Sequence, residues 1–252
     1  MSPTRHGGRM KRAGAIAALV AAGVGIAATV SLGNWQLRRA EQKLELQARR
    51  DAAERAAAVE VTARDLAGLA GRAPLRVKLR GRFLHGKTVW LDNRIMDGRA
   101  GFFVVTPLEI EGADAVVPVV RGFVARDPVD RQRLPAVGMP EGEVVVEGLV
   151  LAEAPRLLDL GGGPPAGPLP AIWQNLDYDA FERASGYRVA RLVVQQTSDS
   201  GDGLARRWPQ PSSGVEKHRG YAFQWYALAA LLAVLAAVAL FRARTHSEKA
   251  TS

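Results

Sequence analysis

The chain contains no cysteine. That removes disulfides, thiolate metal sites, cysteine nucleophiles and iron–sulfur ligation together. Histidine is scarce as well: only His6, His85, His218 and His246 occur, and no two have a metal-ligand spacing such as H-E-x-x-H. No G-x-S-x-G nucleophile elbow is present. The Gly- and Pro-rich run LGGGPPAGPLP lacks the Gly-Lys-Ser/Thr ending of a phosphate loop, and Pro164 and Pro165 carry no backbone N–H to offer. Aromatic residues make up only 6% of the chain, so the +9 net charge has no aromatic-rich basic stripe beside it. The basic excess sits mostly at the ends, on Arg5, Arg9, Lys11, Arg12, Arg242, Arg244 and Lys249, against Glu248 alone. Between these tails 27 basic residues face 24 acidic ones, which argues against a nucleic-acid partner.

The chain has two long apolar runs. Ala13 to Leu37 carries no charge, and its heart, AGAIAALVAAGVGIAATVSL, is about as long as the roughly 20 residues that cross hydrocarbon as a helix. Gly220 to Phe241 is again uncharged, with Tyr221, Trp225 and Tyr226 at one end, as suits a headgroup layer. A cleaved signal peptide is the competing reading of the first run. Signal cores are usually about 7–15 residues, so a retained anchor is expected. The mean hydropathy of −0.04 excludes a many-spanning transporter. The expected layout is a cytoplasmic basic tail over 1–12, a membrane helix over 13–34, an extracytoplasmic domain over 35–219, a second membrane helix over 220–241 and a cytoplasmic tail over 242–252. Basic tails on the cytoplasmic side set that orientation. Ala17, Ala21 and Gly25 share one helix face, as do Ala229, Ala233 and Ala237, and small residues at this spacing let two helices pack as a hairpin.

After the first span, NWQLRRAEQKLELQARRDAAERAAAVE has no Gly or Pro and reads as a helix continuing to about Ala58. LRVKLRGRF, KTVWLDNR, GFFVVTPLEI, AVVPVVRGFVA, EVVVEGLVLA and RVARLVVQQT are strand candidates. GRAP, DGRAG, EGAD and GMPEGE separate them as turns. Asp177 is a natural N-cap for YDAFERASG, and Gly186 its stop. The fold class is thus membrane-anchored α+β, with one mainly antiparallel sheet or partial barrel between two transmembrane helices. His218 stands three residues before Tyr221, at the re-entry to the membrane. Neutral imidazole is an axial haem ligand, and the bland alternative is a polar residue anchoring a helix end.

The residues resemble those of the surfeit locus protein 1 family. GNWQLRRAEQK is similar to its W-Q-x-x-R-x-x-x-K pattern, on Trp35, Gln36, Arg39 and Lys43. Thr106, Pro107 and Leu108, then Arg121, Gly122 and Phe123, resemble its central elements. Glu147 and Gly148 match a third, and Trp173, Asn175 and Asp177 a fourth. His218, Tyr221, Ala222, Trp225 and Tyr226 match its H-x-x-Y-A-x-x-W-[FY] ending. Val120 and Ala125 depart from the usual Asn and Pro, and Gln42 stands where an aromatic is common.

The resemblance implies a non-enzymatic assembly factor for haem–copper cytochrome c oxidase that handles haem a. His218 would ligate the iron, Tyr221, Trp225 and Trp35 would flank the ring, and Arg219 or Arg121 would meet the propionates. For Arg121 the competing reading is a strand-end ion pair, and for Trp35 and Trp225 interfacial anchoring. The implied partners are oxidase subunit I, a haem a synthase and the lipid bilayer. The abundance of Ala, Gly and Arg and the lack of an obvious transit peptide point to a bacterial plasma membrane. Two other functions compete with haem handling. One is a haem-independent scaffold for an oxidase subunit. The other is an anchored hydrolase or isomerase, for which the sequence offers no acid/base cluster.

Overall fold

The computed structural model describes residues 6–130, 133–158, 167–208 and 214–249. Pro164 and Pro165, most of the Gly/Pro-rich run and the junction at 209–213 lie outside them. The chain divides into two compact units, Met1–Ala48 with Ser212–Ser252, and Arg49–Pro211.

The first unit is built on two long helices, α1 (His6–Arg55) and α4 (Val215–Lys249). Helix α1 runs unbroken from the first apolar stretch into the polar one, as its lack of Pro predicts, and stops three residues short of Ala58. Both helices are long and apolar enough to cross a membrane, with mean hydropathy 2.1 in their most apolar windows. Only 11% and 6% of those windows is buried. The core helix of a soluble domain would be buried, so these exposed faces require lipid. Ile16, Val24, Phe223 and Val234 are among the side chains left open.

The two helices pack as a hairpin, but not through all the small residues expected. Ala17, Ala21, Ala233 and Ala237 are exposed. The seam instead takes Gly25, Thr29, Gly33 and Ala40 from α1, and Val215, Ala222, Ala229 and Leu232 from α4. These recur every three to four residues or at whole multiples of that step, the spacing that keeps one face toward a partner helix. Thr29 is buried there, and its hydroxyl donates to the carbonyls of Gly25 and Ile26 at 2.8 and 2.9 Å, so it needs no partner across the seam.

The second unit is an eight-stranded mixed sheet in the order β1-β2-β6-β8-β5-β4-β3-β7. The strands are β1 (Val59–Val61), β2 (Leu75–Phe83), β3 (Val89–Met96), β4 (Arg99–Glu109), β5 (Val117–Ala125), β6 (Glu143–Leu151), β7 (Ala171–Trp173) and β8 (Val193–Gln196). β2 also pairs with β4 through Arg82 and Phe83, so β2, β6, β8, β5 and β4 close into a five-stranded ring. The partial barrel expected from the strand spacing is therefore present. Most pairings are antiparallel, but β1–β2, β3–β7 and β5–β8 are parallel.

Local rules account for the joints. Asp97 and Gly98 both have positive φ, 51° and 72°, and make the two-residue turn of the β3–β4 hairpin. β2 alternates, with Val77, Leu79 and Phe83 buried and Arg80 and Arg82 outward. β4 and β5 are buried on both faces, which explains their unbroken apolar runs. One core lies around Phe103, Trp173 and Phe181, and a second around Leu69, Val77, Leu79 and Val146. Leu69 comes from the short helix α2 (Leu66–Leu69). Helix α3 (Tyr178–Ser185) begins as predicted: the Asp177 carboxylate accepts from the Ala180 N–H at 2.8 Å. It ends at Gly186, whose φ of 79° is the left-handed cap.

Candidate functional site at the paired helix ends

Where the apolar part of each long helix gives way to polar sequence, the seam becomes polar. Gly33 has no side chain because the Tyr226 ring lies across it: a Cβ there would come within 2.8 Å of the ring. Passing over this gap, the Tyr226 hydroxyl donates to Asn34 Oδ1 at 2.6 Å. Two residues further along α1, the imidazole of His218 meets Gln36 across the seam, with Nδ1 2.6 Å from Oε1. Among the described residues, the other ring nitrogen of His218, Nε2, has no hydrogen-bond partner.

The expected site residues divide between the two units. His218, Tyr221, Trp225, Arg219 and Trp35 belong to the helix pair. His218, Tyr221 and Trp225 follow at i, i+3 and i+7, one side of α4. Trp225 is partly buried, whereas Tyr221 is about half exposed. Arg219 is exposed, with one guanidinium nitrogen 3.3 Å from Glu216. Trp35 is also exposed, and its neighbour Gln36, not Trp35, touches the imidazole.

Arg121 is different. It belongs to the sheet domain, in the middle of β5 and not at its end, and is wholly buried. Its Nη2 donates to Asp202 Oδ2 at 2.8 Å and to the Gly138 carbonyl at 2.7 Å, and the guanidinium lies 5.0 Å from the Phe83 ring centroid. The same carboxylate accepts from Arg206 through both oxygens, at 2.8 and 2.6 Å, and from the Leu204 N–H at 3.2 Å. Burial lowers the Arg121 pKa, although Asp202 opposes the shift. Burial alone would raise the Asp202 carboxyl, but the Arg206 hydrogen bond and charge hold it below the ordinary range. The ion-pair reading of Arg121 thus describes its surroundings, and its side chain has no exposed fork to offer a propionate. Asp202 is also the one buried carboxylate among the described residues. Clamped between two cations, it is poorly suited to general acid or base work.

His85, the other histidine whose side chain is described, is held at Nε2 by the Pro140 carbonyl at 2.8 Å. Other motif residues of the sheet domain serve its packing, while Glu147 pairs with Arg76 at 3.2 Å. Trp173 is buried edge-on against Phe181, at 5.9 Å and 82°. Asn175 ties the backbone of Leu157 through both its N–H and its carbonyl, at 2.8 and 3.0 Å. Arg94 is buried beside it, donating to the Gln174 carbonyl at 2.8 Å, and burial lowers its pKa to about 10. The Thr106 and Thr88 hydroxyls share a buried hydrogen bond of 3.0 Å.

The sequence profile of the SURF1 family matches residues 24–230, which takes in the whole sheet domain and the polar end of the helix seam. The chain belongs to the SURF1 family. It is 28% identical to the Surfeit locus protein 1 of Rattus norvegicus over 226 residues, covering 83% of this chain and 71% of that one. It is likewise 28% identical to a SURF1-like protein of Monosiga brevicollis over 221 residues, covering 81% and 80% of the two chains. The Surfeit locus protein 1 of Homo sapiens is 28% identical over 222 residues. SURF1-family proteins are assembly factors of cytochrome oxidase, and this chain has the two membrane-length helices of an anchored member.

Gln36 appears in the sequence as a motif residue but with no site role, since that role depends on a contact across 182 residues. One signal was available. The two spans end near residues 34 and 220, so an antiparallel hairpin puts Gln36 and His218 at the same depth.

Proposed function

We propose that this SURF1-family chain assists assembly of a haem–copper cytochrome c oxidase by holding haem a at His218. The observation that carries the reading is an imidazole with one nitrogen tied to Gln36, the other without a hydrogen-bond partner among the described residues, and two aromatic rings on the same side of its helix. Metal-bound histidines have this form: one ring nitrogen ligates while the other donates to a fixed oxygen. When bound, haem a would supply an iron centre, which His218 would hold through its imidazole. Nε2 of His218 is the ligating atom in this proposal. Tyr221 and Trp225 cover the macrocycle, and Arg219 is the guanidinium for its propionates. Trp35 serves as an interfacial anchor at the end of the first span.

The proposed setting is the plasma membrane of a bacterium, with both termini cytoplasmic and the sheet domain on the periplasmic side. Arg9, Lys11 and Arg12 before the first span and Arg242 and Arg244 after the second support that orientation. The exposed apolar faces of α1 and α4 beside the seam would leave room for an apolar tail in the lipid. Oxidase subunit I is the proposed recipient and a haem a synthase the proposed donor. The function is delivery, with no bond made or broken by this chain.

The test is the absorption spectrum of the full chain purified after co-expression with haem a biosynthesis. A Soret band is expected, and His218→Ala should abolish it while membrane recovery stays normal. A colourless wild-type protein, or an undiminished band in His218→Ala, refutes the reading.

A further inference from the structure

The contact between His218 and Gln36 has a chemical consequence that the ligand assignment alone does not contain. We infer that Gln36 is a positioning residue that holds His218 in its Nδ1–H tautomer, leaving the lone pair on Nε2. The inference deepens the haem reading and rests on it for its purpose, although the tautomer belongs to the protein by itself.

The facing atoms decide the direction of the bond. Gln36 presents Oε1, which only accepts, at 2.6 Å from Nδ1. A neutral imidazole has one N–H, so the proton must be on Nδ1 and the lone pair on Nε2. The reverse tautomer would set two lone pairs against each other at that distance. Both partners are held by their helices. Gln36 stands on the α1 seam between Gly33 and Ala40, and His218 on the α4 seam between Val215 and Ala222. These four flanking residues are all buried, so water has little access to the bond from along the seam. Two neighbouring arginines are engaged elsewhere: Arg39 donates to Gln42 at 3.2 Å and Arg219 to Glu216 at 3.3 Å.

The choice of an amide in place of a carboxylate also has an effect. A carboxylate partner would draw the Nδ1 proton strongly and make the imidazole more basic toward iron. A neutral amide fixes the ring without that push. Such a ligand holds the group in one orientation while leaving its bond to the metal weaker, which suits a carrier that must give its cargo up.

The test begins without haem. The full chain, labelled with nitrogen-15 at histidine and held in detergent micelles at a pH where His218 is neutral, reports each ring nitrogen by NMR. His218→Asn assigns the signals. The expected result is a protonated Nδ1 and a bare Nε2, with Gln36→Leu releasing the ring into a mixture of tautomers. Gln36→Glu should keep the Nδ1 proton. Haem a titration then reads the consequence. Gln36→Leu should weaken binding by roughly 10–100-fold, the usual effect of removing an outer-shell partner. Gln36→Glu should bind more tightly than the wild type, with a lower midpoint potential. A proton on Nε2 in the wild type, or a Gln36→Leu variant unchanged in both tautomer and affinity, overturns the inference. The two failures are separable. A wild type that binds no haem while showing the Nδ1 proton refutes the haem reading alone, whereas normal haem binding with an indifferent Gln36→Leu refutes the positioning role alone.

Discussion

Replacing Asp202 with asparagine removes the one carboxylate that two buried guanidinium groups share. Arg121 is 1% exposed at its side chain, Arg206 9% and Asp202 0%. In the wild type the Asp202 oxygens accept from both arginines and from the Leu204 N–H. Asparagine keeps one acceptor oxygen and turns an N–H₂ toward a donor that needs a lone pair. Arg206 retains the exposed Asp199 at 3.4 Å and the Leu204 carbonyl at 3.3 Å, and Arg121 only the Gly138 carbonyl and the face of Phe83. Leaving a charge of this kind buried without its partner costs about 3–5 kcal/mol. That is a large share of the roughly 5–15 kcal/mol by which a domain is stable. With a urea dependence of about 2 kcal/mol per M, the midpoint should fall by roughly 2 M.

The assay is urea unfolding of the full chain in detergent, followed by tryptophan fluorescence, with Trp90 and Trp173 buried in the sheet domain. Arg121→Met should cost less than Asp202→Asn, because it leaves Asp202 still paired with Arg206. The pH dependence follows from the depressed carboxyl. Its stabilisation is complete above the unfolded value near 3.8 and is lost as pH falls through the lower folded value. The gap between wild type and Asp202→Asn should therefore be flat from about pH 5 to 8 and close at more acid pH. A midpoint change below about 0.5 M, or an Arg121→Met variant weaker than Asp202→Asn, refutes the reasoning.

Other outcomes follow from the same geometry. Asp177→Ala removes the cap of α3 and should lower stability by about 1 kcal/mol, read as a small shift of the same urea midpoint. The chain has no cysteine of its own, so Gly25→Cys with Leu232→Cys should form an intramolecular disulfide, seen as a faster band on a non-reducing gel. Adding Gly33→Leu should lower its yield several-fold, because the new side chain occupies the space of the Tyr226 ring. Ala233→Arg should reduce membrane insertion by about 2.5–3.5 kcal/mol on the translocon scale, measured as the recovered membrane fraction.

Much of the fold was open to reading because its determinants are local. β2 and α3 lie where alternation, the Asp177 cap and the Gly186 stop put them, and the Asp97–Gly98 turn is a two-residue signature. What escaped is non-local or very short. β1 and β7 have three residues each, too few to show a period. The parallel pairing of β5 with β8 joins segments more than 70 residues apart, and nothing local announces it. Arg121 and Asp202 are 81 residues apart, so a carboxylate partner for that arginine could be expected in kind but not by position. In the helix pair the spans and the histidine were legible, and of the expected seam residues Gly25 and Ala229 lie on it while Ala17, Ala21, Ala233 and Ala237 do not. Alanine-rich helices show small-residue spacing on several faces, and only the real contact selects Gly25, Gly33, Ala222 and Ala229.

The sheet ends on strands β1 and β7, and this bears on how the domain can meet other proteins. Three residues offer almost no ladder of free N–H and C=O groups for an incoming chain to extend. Short margins at β1 and β7 make these two ends of the sheet poor templates for an incoming strand.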